Sequence, residues 1–128
     1  MGVHLCYGDF DARHFFEPLD AGKEVELANT ITELADRPVN WIHMPVPIGR
    51  TDDEFYAPLA DLALAPETEL YLGLIHADGS DHERIAVASK VVSDFGVATE
   101  CGIARQRAPE QVRVLIRAHA AASAEPVV

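Results

Sequence analysis

Short apolar, β-prone runs alternate four times with stretches of helical periodicity, and this alternation constrains the fold more than any other feature of the chain. The first run is Gly2 to Tyr7. A loop with His14, Phe15 and Phe16 follows and closes at Pro18. Asp20 is placed to cap a helix reaching Ala35, with Leu27, Ala28, Ile31, Leu34 and Ala35 at helical spacing. Val39 to Met44 reads as a second strand, ended by Pro45 and Pro47. Thr51-Asp52-Asp53-Glu54 has a capping-box pattern, and Pro58 and Pro66 keep its helix short. Glu69 to Ile75 is a third strand with Leu70, Leu72 and Leu74 on one face. Ser80-Asp81-His82-Glu83 is a second capping box, opening a helix that buries Ile85, Ala88, Val91, Val92 and Phe95 and stops at Gly96. Val97 to Thr99 is a fourth strand, and Pro109 starts a last helix carrying Val112, Leu115, Ile116 and His119.

Strands alternating with helices imply an α/β fold of four βα units with parallel strands and right-handed crossovers. Two architectures fit: an open doubly wound sheet, or half of a (βα)8 barrel. A complete barrel takes about 250 residues, and this chain has 128. As a half-barrel it is expected to be completed by a preceding segment, by a second copy or by another subunit. Residues 1–122 form the expected domain, and 123–128 a frayed tail.

The formal charge of −11 argues against nucleic acid as a partner, because phosphate binding needs clustered lysine and arginine. No apolar run approaches the ~20 residues of a membrane span, and the N-terminus lacks the pattern of a signal peptide. Two cysteines do not make a secreted disulfide framework. The expected location is cytoplasmic.

In either architecture, chemistry belongs at the C-terminal ends of the strands. The first strand ends with His4 and Cys6, the second with His43, the third with His76 and Asp78, and the fourth with Glu100 and Cys101. Every strand thus delivers a ligand or acid–base group to one rim. His4 and Cys6, two residues apart, project from the same face of a strand. An imidazole and two thiols suit zinc. The competing readings stay open: buried cysteines as small apolar residues, and His43 as a packing partner of Trp41 or a substrate contact. His14, His82 and His119 read as structural or exposed, and Phe15-Phe16 as packing or a loop lid.

These motifs resemble the C-terminal barrel of cobalamin-independent methionine synthase, in the superfamily that includes uroporphyrinogen decarboxylase. His4-Leu5-Cys6-Tyr7-Gly8-Asp9-Phe10 is similar to that family's His-x-Cys-Tyr-x-acid-Phe segment, which supplies two zinc ligands. Glu100-Cys101-Gly102-Ile103-Ala104-Arg105 resembles its Asp-Cys-Gly-Leu-x-x-Arg segment, whose cysteine is another ligand. Ile75-His76 falls where the family has an Ile-His pair whose histidine is implicated in proton transfer. The resemblance spans the last four βα units of the barrel. It departs from the family at the strand after His-x-Cys. The family has a glutamate ligand there, whereas this chain has Trp41-Ile42-His43-Met44.

The resemblance implies a zinc-dependent methyl or alkyl transferase that activates a small thiol towards an alkyl donor. His4, Cys6 and Cys101 would hold Zn2+, with His43 in the place of the missing ligand. His76 would move the proton, held by Asp78 or Asp9. Asp9, Glu100 and Arg105 are the expected substrate contacts, Arg105 being equally consistent with a solvent-exposed loop residue. Two other classes compete: a non-catalytic half-barrel that binds zinc or a partner, and a metal-free enzyme of the decarboxylase type.

Overall fold

The structure, a computed structural model, describes residues 1–124 apart from Asp9 and Ala12. Strand β1 covers Gly2–His4, helix α1 Gly22–Leu34, β2 Trp41–Pro45 and the short helix α2 Asp53–Tyr56, which continues as a 3-10 turn over Ala57–Asp61. Strand β3 covers Glu69–Ile75, α3 Asp81–Ala88, β4 Gly96–Thr99 and α4 Pro109–Ala124. The last helix therefore runs two residues into the expected tail, and the rest of that tail lies outside the described residues.

The four strands are parallel and stand in the order β1-β2-β3-β4. Each strand lies beside its chain neighbour, so the order never reverses. A doubly wound sheet reverses once and binds its ligand at that switch point. The unreversed order is that of a barrel wall. Right-handed crossovers then place the helices on one face. Ile42, Met44, Leu70, Leu72 and Leu74 point to that face and are buried. The opposite face carries the rows Gly2, Trp41, Glu69 and His4, His43, Tyr71, Gly96, and Trp41 is 41% exposed there. No helix among the described residues is long and apolar enough to cross a membrane.

Several elements depart from the sequence pattern. Helix α1 turns Val25, Ala28 and Glu24 inward and leaves Leu27 and Leu34 exposed at 52% and 74%. The carboxylate of Asp20 accepts from the N–H of Gly22, at 2.8 Å. At α2 the cap is Asp52 rather than Thr51, its Oδ1 accepting from Phe55 N at 2.9 Å. Helix α3 stops at Ala88 instead of reaching Phe95. The chain then tightens into turns in which Lys90 N–H donates to Val87 and Val91 N–H to Ala88. Gly96 opens β4 instead of closing α3. A Cβ there would lie 2.4 Å from the ring of Tyr71, so any larger residue must displace that ring.

Candidate metal centre

Strand β1 ends at His4, and Leu5 N–H still donates to the carbonyl of His43, so Cys6 leaves the sheet at the rim. Strand β4 ends at Thr99, and Cys101 follows in the next turn. The two sulfurs are 3.3 Å apart. The N–H of Gly8 donates to Cys6 Sγ at 3.3 Å and holds that sulfur at the rim. One ligand atom from each of His4, Cys6 and Cys101 falls within a group no wider than 4.8 Å.

Zn–S bonds of about 2.3 Å and Zn–N bonds of about 2.0–2.1 Å in a tetrahedron set donor atoms roughly 3.3–3.8 Å apart. The two sulfurs stand at that separation and the whole group spans no more than 4.8 Å, so a small inward shift brings all three donors to a metal; two sulfurs and one imidazole match zinc in chemistry. These three residues could hold a metal ion such as zinc.

His43, a neighbour of His4 in the sheet, is half-buried. Its Nε2 lies 3.0 Å from the carbonyl oxygen of Thr99 and donates its proton there. Its Nδ1 lies 2.7 Å from Nδ1 of His4. Burial, together with the nearby charge of His4, holds its pKa down at about 4, overcoming the upward pull of the Thr99 carbonyl. His43 is therefore neutral at any ordinary pH.

His76 follows β3 and is 1% exposed. Its Nε2–H donates to the carbonyl of Val46 at 2.8 Å, and its backbone N–H donates to Asp81 Oδ1 at 2.9 Å. Its Nδ1 faces Glu100 Oε2 at 3.5 Å. Glu100 Oε1 in turn accepts from Arg107 Nη2 at 2.5 Å. Burial pulls the Glu100 carboxyl upward, but His76, Arg107 and His14 outweigh it and hold the pKa below the usual range. Glu100 also lines a cleft of about 350 Å³ with Arg13, His14, Glu17, Pro47 and Ile48.

Asp78, expected to hold His76, is turned to another task. Its carboxylate accepts from Arg84 at 2.6 and 2.9 Å and from the N–H of Ser80 at 3.2 Å. Arg84 holds its pKa down at about 2, the opposing effect of burial being smaller. Arg84 itself is fully buried. It also donates to the carbonyls of Leu74 and Ile48, both at 2.7 Å, and to Asp81 at 2.8 Å. One guanidinium thus ties the end of β3, the loop after β2 and the start of α3 into one rim. The second capping box fails for the same reason: Asp81 faces back to His76 and Arg84, and Ser80 makes no side-chain cap.

The structure brings together His4, Cys6, Cys101 and His43, and separately His76 and Glu100. Arg105 is exposed, and it is Arg107 that meets Glu100. Asp9 lies outside the described residues. Phe15 and Phe16 are exposed rather than packed. Sequence reasoning passed over Arg84 and Arg107, and it read His14 as structural or exposed, whereas His14 lines the cleft beside Glu100. Acidic residues three and six positions before Arg84 were the available signal for its burial. Comparison of the chain with protein-family profiles, with curated proteins and with solved structures gave no match.

Proposed function

We propose that this chain is a zinc-dependent thiol alkyltransferase domain, working in the manner of cobalamin-independent methionine synthase. The observation that carries the reading is the meeting of His4, Cys6 and Cys101 at the strand-end rim. With these three as protein ligands, a tetrahedral metal keeps one position for substrate. Bound there, zinc would favour the thiolate of a substrate thiol at neutral pH. Cys6 and Cys101 act as ligands and neither attacks the alkyl donor. His76 presents Nδ1 to Glu100, since Nε2 is committed to the Val46 carbonyl. This pair would take up the proton of a substrate thiol and return it to the leaving group. His76, with Arg107 and His14 behind it, keeps the Glu100 carboxyl ionised, and Arg107 anchors its other oxygen.

The test is metal analysis of the purified protein beside a Cys6→Ser, Cys101→Ser double variant. One zinc per chain in the wild type and none in the double variant is the expected result. Equal content in both, or none in either, defeats the reading. X-ray absorption at the zinc edge then counts sulfur neighbours. One additional sulfur at saturating thiol is expected, and an unchanged count leaves the metal a structural role only. The reading also includes a second copy of the chain covering the sheet face that holds Trp41 and His43. Light scattering at several concentrations should show a dimer, and a concentration-independent monomer removes that part.

A further inference from the structure

The sequence places His43 where a fourth metal ligand would stand, but its contacts describe a different task. Two ring nitrogens 2.7 Å apart need one proton between them. An imidazole in its ordinary form carries one proton, and that of His43 sits on Nε2, because only an N–H satisfies the carbonyl of Thr99 at 3.0 Å. The shared proton therefore belongs to Nδ1 of His4, and the remaining lone pair of His4 is on Nε2. A zinc ion bound by both Nδ1 atoms would instead hold them about 3.3 Å apart, given Zn–N bonds of about 2.0–2.1 Å.

We infer that His43 is a positioning residue: it accepts the Nδ1 proton of His4, fixes that ring in one tautomer and leaves Nε2 of His4 as the donor for the metal. The chain of contacts runs from the Thr99 carbonyl through His43 to His4. It joins β4, β2 and β1 across the open face of the sheet. The ring of His43 is seated by Gly73, where a Cβ would come 3.2 Å from Nε2 and 3.0 Å from the backbone of Pro45. A metal-bound histidine commonly donates its other N–H to a carbonyl or carboxylate, and loss of such a partner typically costs 10- to 100-fold in metal affinity. Here a second imidazole fills that role. The inference rests on the zinc reading above only for its metal; the tautomer of His4 follows from the protein alone.

The test compares His43→Gln with His43→Phe. The glutamine amide keeps an acceptor and a donor at nearly the spacing of the two ring nitrogens, but it is a poor zinc ligand. Phenylalanine keeps the shape and removes both groups. Zinc affinity is measured by competition with a chromophoric chelator. The expected result is a loss of about 10- to 100-fold in His43→Phe, with His43→Gln restored to within a few-fold of wild type. Equal losses in the two variants make His43 a ligand, and no loss in either removes its role; both overturn the inference. His43→Leu repeats the measurement should His43→Phe not fold. A wild type that binds no zinc defeats the alkyltransferase reading alone. The inference is then decided on the metal-free protein by nitrogen-15 NMR of the His4 ring. The Nδ1–H tautomer should dominate in wild type and His43→Gln and give way to a mixture in His43→Phe. The same His4 spectrum in all three proteins overturns it.

Discussion

The sulfurs of Cys6 and Cys101 stand 3.3 Å apart, although their strands form opposite edges of the sheet. Neighbouring strands are about 4.8 Å apart, so a flat four-stranded sheet would hold its edges about 14 Å apart. The strand-end loops must curl over the face away from the helices for the sulfurs to meet. Such curvature belongs to a sheet that closes into a barrel. The meeting of His4, Cys6 and Cys101 is thus a product of the fold's curvature as much as of the cysteines themselves.

Two thiols at this separation should oxidise as a pair when no metal holds them. Hydrogen peroxide removes two electrons, the sulfurs join, and the two thiol protons leave in two waters. Treating the metal-free protein with peroxide should lower its mass by two hydrogens and link the Cys6 and Cys101 peptides. Zinc loading should slow the reaction, because both sulfurs are then metal ligands. Intermolecular disulfides alone would mean that the two sulfurs do not meet in solution.

Arg84 should be the most costly single side chain of the rim to remove. Its guanidinium is fully buried and bonds two carboxylates and two carbonyls on three segments. Truncating one partner of a buried ion pair typically costs about 3–5 kcal/mol. Arg84→Ala should lower the denaturant midpoint accordingly and loosen the loops that carry His76 and Ile48. A loss no larger than that of an ordinary surface substitution would show that water replaces the guanidinium.

The contrast between β3 and α3 shows how much was legible in the sequence. Strand β3 was readable to the residue, because Leu70, Leu72 and Leu74 alternate between a turn and His76. The end of α3 was not, because Val91, Val92 and Phe95 continue the helical spacing while packing from irregular turns. Arg84 escaped notice because an arginine reads as solvated until its partners are known in space. Cys101 was legible as chemistry, since a thiol beside an imidazole is a candidate metal ligand, but only the curvature of the sheet could show that it returns to Cys6. Arg105 and Arg107 share one loop, and spacing alone cannot say which of them faces Glu100.

Gly73 should resist substitution although it lies mid-strand. A Cβ there would stand 3.0 Å from Pro45 Cα and 3.2 Å from both the Thr99 carbonyl and His43 Nε2. Two of these neighbours are backbone, so the ring of His43 must give way. Overpacking of this kind costs about 1–3 kcal/mol. Gly73→Ala should lower thermal stability by that order and weaken zinc binding together. A stable protein with unchanged metal affinity would mean that the strand shifts without disturbing the His43 contact.

Glu24 should give the protein a stability that falls as pH rises. The side chain projects from α1 into the core, 4% exposed, and its Oε1 has no hydrogen-bond partner among the described residues. Burial pushes its pKa up to about 8, and the nearby Tyr7 hydroxyl, which pulls the other way, does not offset it. The folded state therefore holds a proton that the unfolded chain releases near its ordinary carboxyl pKa of about 4.3. Where the folded state binds more protons, stability falls with rising pH. The contribution is fully present below the unfolded pKa, declines from there to about pH 8 and is flat above it. Each unit of separation is worth about 1.4 kcal/mol, so the total decline is of the order of several kcal/mol. Glu24→Gln keeps the size and polarity of the side chain and removes its ionisation. The variant should match wild type near pH 4 and exceed it at pH 8, as read from urea midpoints at the two values. Parallel pH profiles for the two proteins would show that the Glu24 carboxyl ionises in the fold at its ordinary pKa, with water reaching it behind Tyr7.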